Sequence, residues 1–295
     1  MADSLNEKVA IVTGGGSGIG EGLCRELARR GARVVVADIN SAEAGRVAAS
    51  ITGARTGIGG QAAASTVDVS RAEEVTRLVE ETAAAYGRLD YMFNNAGFAI
   101  GGDFRDLTLE HWHRVLDVDF YGVLHGMQAA YPVMVRQGFG HIVNTSSAAA
   151  FFATPGNAPY CAAKYALVGL SLSVRLEGVD LGVKVSCVCP GFVRSNVYRN
   201  AEVAGMTLPA GMTREQVAGA PAKMMDPARA AQVILDGVAR NKALIVFPAV
   251  IRWARRLDRL LPGLSDRIQL RQMRESRRYR TAESDSAPPA RTIAG

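Results

Sequence analysis

Short runs of consecutive apolar residues alternate along this chain with longer segments in which apolar residues recur every three or four positions. The runs predict strands, and the segments between them predict amphipathic helices. The strand-like runs are KVAIVTG, RVVVADI, AASTVDV, LDYMFNNAG, GHIVNTSS, VKVSCVCPG and ALIVF. This alternation predicts an α/β fold, a Rossmann-type doubly wound parallel sheet of about seven strands with helices on both faces. Ser41, and Ser70 together with Glu73, are predicted to cap two helices.

The strand and helix pattern fills residues 1–249, which predicts a single domain there. A loop-rich insertion at about residues 192–225 precedes the last helix and strand. Residues 250–280 are predicted to form a basic amphipathic helical extension, and residues 281–295 a disordered tail. With 295 residues, 48% of them hydrophobic, the chain is long and apolar enough for one large core.

Charge is distributed unevenly. The net charge of +6 lies entirely after Ala249, where there are eleven arginines and five acidic residues; the preceding part has 23 residues of each sign. The extension can lie on an anionic membrane, pack on another subunit or over a substrate pocket, or remain a solvated charged surface. Packing is slightly favoured. No nucleic-acid motif accompanies the arginines, so nucleic acid is not an expected partner.

The sequence also gives an expectation for location. Its first residues include an acidic residue where a secretory signal would be basic, and no apolar run is long enough to span a bilayer. A cytoplasmic protein is therefore expected, with peripheral membrane contact through residues 250–280 left open.

Two glycine-rich stretches, residues 13–20 and 52–59, share the pattern T-G-x-x-x-G-I-G. A phosphate-binding loop needs a strand before the glycines and a helix after them, so that free N–H groups and the helix dipole converge on the anion. Residues 13–20 have both neighbours, whereas residues 52–59 follow a helix and precede a strand. The first stretch is therefore predicted to bind a dinucleotide, and the second to be a connecting loop.

Asp38 ends the second predicted strand, 18 residues after Gly20. The dinucleotide fold places an acid at about this point to hold the hydroxyls of the adenosine ribose. A carboxylate there repels a 2′-phosphate, and neither Ser17 nor Ile39 is basic. NAD is therefore the favoured cofactor, and NADP the less favoured one.

Tyr160 and Lys164 lie four residues apart on a predicted helix and so share one of its faces. A nearby ammonium group favours the phenolate, so the pKa of Tyr160 is expected to fall toward neutrality. Such a tyrosine can act as a general acid or base on an alcohol or ketone.

Cysteine and histidine residues give no comparable site. Cys187 and Cys189 share one face of a predicted strand, but no second pair stands at ligand spacing. They are predicted to be reduced core residues, and no metal is expected. The four histidines show no acid–base spacing.

Several motifs resemble, in order and spacing, those of the short-chain dehydrogenase/reductase family. They are TGGGSGIG, Asp38, Asp68, NNAG, the NTSS strand end, YCAAK and CPGFVRS, and the resemblance covers about residues 8–247. It implies an oxidoreductase that uses NAD(P) to interconvert a secondary alcohol and a ketone. It also implies a homodimer or homotetramer built on the helices near 108–137 and 158–180.

The resemblance implies roles for particular residues. Ser147 would hydrogen-bond the substrate oxygen, Tyr160 would exchange the proton, and Lys164 would bind the nicotinamide ribose. The cofactor contacts would also include Gly14, Ser17, Gly18, Ile19, Gly20, Asp38, Asp68, Val69, Asn95, Ala96, Gly97, Pro190, Gly191, Val193 and Ser195.

Asp119 departs from the family pattern, which usually has an asparagine that supports a water between Lys164 and solvent. If the backbone carbonyl of this residue holds the water, aspartate can substitute. If the side chain matters, the proton relay changes and an additional carboxylate lies near the site.

Aromatic side chains on three loops suggest a hydrophobic substrate. Phe98, Phe151, Phe152 and Phe192 are the predicted substrate contacts, and they would suit a small apolar alcohol or ketone. Alternatively, some of them pack the insertion onto the body. The alternative function is a catalytically weak dinucleotide-binding sensor or scaffold that engages a membrane or partner through its arginine-rich helix.

Overall fold

The computed structural model of the protein describes residues 5–53, 60–195, 197, 201–205, 224–261, 263, 267, 269–271, 273, 274 and 277. Its strands are β1 (Val9–Thr13), β2 (Arg33–Asp38), β3 (Ala62–Thr66), β4 (Tyr91–Asn94), β5 (Ile100–Gly102), β6 (Gly140–Thr145), β7 (Val183–Pro190), β8 (Glu202–Ala204) and β9 (Leu244–Phe247). Its α-helices are α1 (Gly18–Arg29), α2 (Ser41–Gly53), α3 (Ala72–Tyr86), α4 (Leu109–Leu116), α5 (Gly122–Gln137), α6 (Ala158–Glu177), α7 (Pro227–Ala239) and α8 (Ala249–Leu260). Short 3₁₀ turns occupy Phe104–Asp106, Ala148–Ala150 and Val179–Leu181.

Within the described residues, seven strands form one parallel sheet in the order β3-β2-β1-β4-β6-β7-β9. The predicted Rossmann-type sheet is thus confirmed. After edge strand β3, the chain crosses to β4 on the far side of β1. This reversal opens a crevice at the carboxyl ends of β1 and β4, where ligands of such sheets bind. A separate pair, β5 with β8, was not anticipated from the sequence.

The core lies on both faces of the sheet because the strands are apolar throughout. Ala10 and Val12 of β1 join the cluster beneath α1 and α7, whereas Val9 and Ile11 join the cluster beneath α3, α5 and α6. All four side chains are fully buried. Burial of such a side chain contributes about 1.5–3 kcal/mol, and this stabilisation holds the strand ends in place.

Two predicted helix caps are wrong. Asn40, not Ser41, caps α2, since its side-chain oxygen accepts from the amide of Glu43 at 3.2 Å. The hydroxyl of Ser70 donates to Asp68 Oδ1 at 2.7 Å, and α3 begins only at Ala72 with no side-chain cap. The nearby Asp68 carboxylate therefore draws Ser70 into a turn instead of a capping box.

The predicted long helix near 108–137 is interrupted by a π turn. Helix α4 runs into Asp117–Tyr121, which has π geometry, and continues as α5. Such a turn accommodates an additional residue in a helix and commonly occurs at functional sites. Here it carries Asp119, whose side chain is completely buried.

Helix α8 follows β9 directly and forms the described beginning of the basic extension. Ile251 packs near Gly191, and the Arg255 guanidinium lies 4.1 Å from the centre of the Phe151 ring. The opposite side exposes large apolar side chains, with Trp253 67% and Leu260 77% exposed. Across the described residues, no helix has both the length and the apolar character needed to cross a membrane. Of the predicted connecting loop at 52–59, Thr52 and Gly53 instead end helix α2, and residues 54–59 lie outside the described residues. Most of the insertion and the predicted tail at 281–295 also lie outside them.

Candidate active site

A cleft of about 580 Å³ opens at the carboxyl ends of the central strands. It brings together most of the residues singled out from the sequence. Those lining it are Gly14, Ser17, Gly18, Ile19, Asp38, Asp68, Val69, Asn95, Ala96, Gly97, Phe98, Asp119, Ser147, Tyr160, Lys164, Pro190, Gly191, Val193 and Ser195. The described lining does not include Gly20, Phe151, Phe152 or Phe192. Of the four predicted substrate contacts, Phe98 alone belongs to this cleft as described.

The glycine loop occupies the turn from β1 to α1 and packs too tightly for side chains. A Cβ on Gly20 would lie 2.0 Å from the Gly14 carbonyl oxygen. Gly14 itself has φ +64° and would bring a Cβ within 2.9 Å of Ala96 Cα. Helix α1 begins at Gly18, so its unpaired first-turn amides face the cleft and suit an anion.

Asp38 is fixed at the rim of the cleft by backbone donors. Its Oδ2 accepts from the amide of Gly16 at 2.9 Å, and its Oδ1 from that of Asn40 at 3.0 Å. Arg46 supports the loop from below by donating to the Gly16 carbonyl at 3.0 Å and to Glu21 at 2.8 Å. Sequence reasoning missed Arg46 because Glu21 lies on a different helix.

Asn95 connects three strands at the floor of the cleft. Its backbone amide bonds to Thr13 Oγ1 at 3.0 Å, and its side-chain amide donates to the Thr13 carbonyl at 3.1 Å. Thr145 Oγ1 donates to Asn95 Oδ1 at 3.4 Å. Both threonines, missed from the sequence, end strands of the central sheet, and their position at strand ends was the available signal.

Lys164 lies buried beside Tyr160 on α6, as the spacing of four predicted. Its Nζ donates to the Thr145 carbonyl at 3.2 Å and lies 2.9 Å from Asp119 Oδ2. The distance from Nζ to the centre of the Tyr160 ring is 5.3 Å. Ser146 Oγ donates to the Lys164 carbonyl at 2.8 Å and so connects the end of β6 to α6.

The expected effect of Lys164 on Tyr160 is wrong for the protein without cofactor. Burial raises the pKa of Tyr160, the Asp119 carboxylate raises it further, and hydrogen bonding to Ser147 only partly opposes them. The lysine fails to dominate because its charge is compensated by Asp119. Ser147 meanwhile accepts from the amide of Ala149 at 3.1 Å, which orients its hydroxyl group.

Asp119 contacts Lys164 through its side chain. Its Oδ1 also accepts from the amide of Phe98 at 2.9 Å, and no part of the residue is exposed. Burial raises the pKa of Asp119 against the opposing effects of the Lys164 ammonium and the Phe98 amide. The Asp119 carboxylate thus lies against the Lys164 ammonium group, and a changed proton relay stays a prediction.

The two neighbouring cysteines are free and buried in β7, with their sulfur atoms 4.0 Å apart. Over the described part of the chain, no three His, Cys, Asp or Glu side chains gather in a way that could hold a metal. The cleft presents hydroxyl, ammonium and carboxyl groups beside a glycine loop.

Comparison with known proteins places the chain in a family. The family described as short chain dehydrogenase matches residues 8–204. Cyclohexanol dehydrogenase from Acinetobacter sp. strain SE19 is 36% identical over 208 residues, which cover 70% of this chain and 81% of that protein. Meso-2,3-butanediol dehydrogenase from Serratia marcescens is 35% identical over 193 residues, 65% of this chain and 74% of that protein.

The fold comparison agrees. The crystal structure of a short chain dehydrogenase/reductase from Burkholderia phymatum in complex with NAD superimposes with a TM-score of 0.77 and 26% identity. The match covers 88% of this chain and 96% of that chain. The chain belongs to the short-chain dehydrogenase/reductase family of oxidoreductases. Its glycine loop, whose packing excludes a Cβ at Gly20, and the Asp38 carboxylate at the rim fit a nicotinamide dinucleotide.

Proposed function

We propose that the protein is an NAD-dependent dehydrogenase that interconverts a hydrophobic secondary alcohol and the corresponding ketone. The observation that carries this proposal is the convergence of Ser147, Tyr160 and Lys164 on the cleft that the glycine loop closes. A hydroxyl, a phenol and an ammonium group beside a dinucleotide site are the groups that proton exchange with an alcohol requires.

The preference for NAD rests on Asp38. Its carboxylate, held by two amides, would accept from the ribose hydroxyls and repel a 2′-phosphate. Asp68 and Val69 would lie at the adenine, while Pro190, Gly191, Val193 and Ser195 would line the nicotinamide end. The amides at the start of α1 would face the pyrophosphate.

Bound NAD would supply the hydride acceptor. The chain's own residues would do the rest: Ser147 would bind the substrate oxygen, and Tyr160 would take its proton during oxidation or return it during reduction. Lys164 would bind the nicotinamide ribose from the floor of the cleft. The buried carboxylate of Asp119 would keep that ammonium group in place, since its Oδ2 lies 2.9 Å from Nζ.

The substrate class is inferred from the cleft and from two relatives. Phe98 gives the described wall an aromatic side chain next to Asp119. The relatives named above act, by their names, on cyclohexanol and on meso-2,3-butanediol, both secondary alcohols. Phe151, Phe152 and Phe192 remain predicted substrate contacts. We therefore propose a small apolar secondary alcohol or its ketone.

A substrate screen tests this function. NADH formation would be followed by absorbance with a panel of secondary alcohols that includes the apolar cyclohexanol and, as a polar comparison, 2,3-butanediol, in parallel with NADP. We expect turnover with NAD, lost in Tyr160→Phe. Tight NAD binding without turnover on any alcohol or ketone would instead favour the sensor or scaffold.

Exposed apolar residues on α4 and α6 support a homodimer or homotetramer. Leu109 on α4 is 71% exposed and Leu176 on α6 is 75% exposed, on the helices expected to form the subunit interface. Light scattering after size-exclusion chromatography measures the assembly. We expect Leu109→Ser with Leu176→Ser to lower the mass, and a monomeric parent would contradict the proposal.

The exposed face of α8 supports a second proposal, peripheral contact of a cytoplasmic protein with an anionic membrane. Val250, Trp253, Leu257, Leu260 and Leu261 form one exposed apolar strip, beside which Arg252 and Arg256 are exposed. An apolar strip flanked by arginines suits anionic headgroups.

Sedimentation with vesicles tests the membrane proposal. We expect binding to phosphatidylserine vesicles, little to phosphatidylcholine vesicles, and loss of binding in Leu257→Ser/Leu260→Ser. Failure of the parent to sediment with anionic vesicles would leave packing on another subunit or over the pocket, or a solvated charged surface, as the interpretation of this helix.

A further inference from the structure

An ion pair lies sealed beneath the reacting groups of the cleft. Asp119 Oδ2 is 2.9 Å from Lys164 Nζ, and the two side chains are 0% and 4% exposed. The other carboxylate oxygen accepts from the amide of Phe98 at 2.9 Å. Gly97 makes room for this arrangement, since a Cβ there would lie 3.1 Å from Oδ2. The carboxylate is therefore held in a position built by the π turn and the strand end together.

This ion pair changes the electrostatic environment of the Tyr160 phenol. An unopposed ammonium group 5.3 Å from the ring would favour the phenolate, but the carboxylate at 2.9 Å from the same nitrogen compensates its charge. The phenol is thus left with burial, which favours its neutral form. Both effects raise the pH needed to remove its proton.

We propose that Asp119 is a positioning residue that sets the pH at which Tyr160 releases its proton, by holding Lys164 at the floor of the cleft and offsetting its charge. This inference rests on the proposed dehydrogenase function and deepens it. It predicts that the rate of alcohol oxidation rises toward alkaline pH. The carboxyl group of Asp119 determines the pH at the midpoint of that rise.

Other ionisable groups near the pair do not account for this effect. Cys161 follows Tyr160 on α6, and burial raises the pKa of its thiol, so the thiol stays neutral at pH 7. Cys187 lies on β7, where its pKa is lowered by hydrogen bonding to Cys189 and more weakly by the Lys164 charge. Arg114 lies over the Phe98 ring at 6.0 Å. Within the described residues, Asp119 is the anion that acts most strongly on Tyr160.

A titration without cofactor or substrate tests the proposal directly. The ultraviolet absorbance of tyrosinate would be followed against pH in the parent and in Asp119→Asn, each with Tyr160→Phe as the difference reference. Asparagine can keep the bond from Phe98 but carries no charge. We expect the Tyr160 transition to move to lower pH by about one unit or more. An unmoved transition would overturn the proposal.

The pH dependence of kcat/KM for alcohol oxidation gives the second measurement. In Asp119→Asn we expect the midpoint of its rise to shift to lower pH by about the same amount. Asp117→Asn is the matched control, because it removes a carboxylate of the same π turn from a residue that does not line the cleft. Equal shifts in both variants would contradict a specific role for Asp119.

The two measurements also separate this inference from the proposed function. If the parent has no turnover on any substrate, the dehydrogenase proposal fails, yet the tyrosinate titration still decides the role of Asp119. If the asparagine variant fails to fold by circular dichroism, Asp119→Ser removes the same charge and replaces it in both measurements.

Discussion

Two buried aspartates at opposite ends of the same sheet show how differently one side chain can be used. Asp90 precedes β4 at the amino end and is 5% exposed. It accepts from Arg88 at 2.5 and 2.7 Å, from Lys8 at 3.1 Å and from the amide of Val9 at 3.0 Å. Asp119 at the carboxyl end has Lys164 and the amide of Phe98.

The pKa values of the two carboxyl groups move in opposite directions. Burial acts to raise the pKa of Asp90, but Arg88, the Val9 amide and Lys8 outweigh it, so the pKa falls. For Asp119, burial outweighs one lysine and one amide, and the pKa rises. The number of hydrogen-bond donors and cations around a buried carboxyl group thus decides whether its pKa falls or rises. We therefore expect the amino end to serve stability and the carboxyl end to serve the proposed chemistry.

Tyr160→Phe should have the largest effect of the substitutions at either end of the sheet. It should lower turnover at the carboxyl end and leave the free energy of unfolding nearly unchanged. Loss of the proton-exchanging hydroxyl should lower kcat at least about a thousandfold, or about 4 kcal/mol. Urea unfolding should change by less than about 1 kcal/mol, because the phenol oxygen lines the cleft instead of filling the core. NADH absorbance and urea titration measure the two quantities. Retained turnover would refute the assignment of Tyr160.

Asp90→Ala should have the opposite pattern, a loss of stability with little effect on the cleft. Removing the carboxylate leaves Arg88, Lys8 and the Val9 amide without their acceptor, and we expect a loss of about 2–3 kcal/mol in unfolding free energy. The loss stays below that of a fully buried ion pair because both cations are about one-third exposed and regain solvent. The KM for NAD should stay within about twofold of the parent value, given the distance of Asp90 from the cleft. A large rise in KM without a loss of stability would contradict the assignment of stability to the amino end and of the proposed chemistry to the carboxyl end.

His141 should make the amino end sensitive to acid. Its Nε2 lies 2.8 Å from Ser186 Oγ, and burial lowers the pKa of His141 from 6.5 to about 3. A lowered pKa in the folded state means that this stability is present above pH 6.5 and is lost as the pH falls toward 3. Between pH 7 and pH 5 the loss should be about 2 kcal/mol.

Urea unfolding of the parent and of His141→Gln at both pH values isolates the contribution of His141. Glutamine can still hydrogen-bond to Ser186 but does not titrate, so the variant should lose less stability over this interval. Equal losses in both proteins would exclude His141 as the sensitive group.

Asp38→Asn should give the smallest effect and sharpen the assignment of the cofactor end. Asparagine can still accept from the amides of Gly16 and Asn40, but it no longer repels a 2′-phosphate. The ratio of kcat/KM with NADP to that with NAD should rise about tenfold, or about 1.4 kcal/mol. A ratio that does not move would place cofactor selection elsewhere.

Much of the fold could be predicted because its signals are local. Apolar runs such as VAIVT become buried strands, and the glycine loop can be placed because a strand precedes it and a helix follows it. The shared face of Tyr160 and Lys164 follows from helix geometry alone. The caps at Ser41 and Ser70 were wrong because Asn40 and Asp68 compete for the same groups within a few residues.

The sequence by itself determined the seven-stranded sheet, the glycine loop and the face that carries the tyrosine and lysine, because these depend on residues close together in the chain. Only the tertiary structure decided the charge balance around Tyr160. Asp119 contacts Lys164, which lies 45 residues later in the chain. It does so from a π turn that the hydrophobic periodicity of the sequence does not predict. Arg255 reaches Phe151 across a still longer separation. Electrostatic energy depends on distances in space and on burial, and both are set when the sheet brings remote segments together.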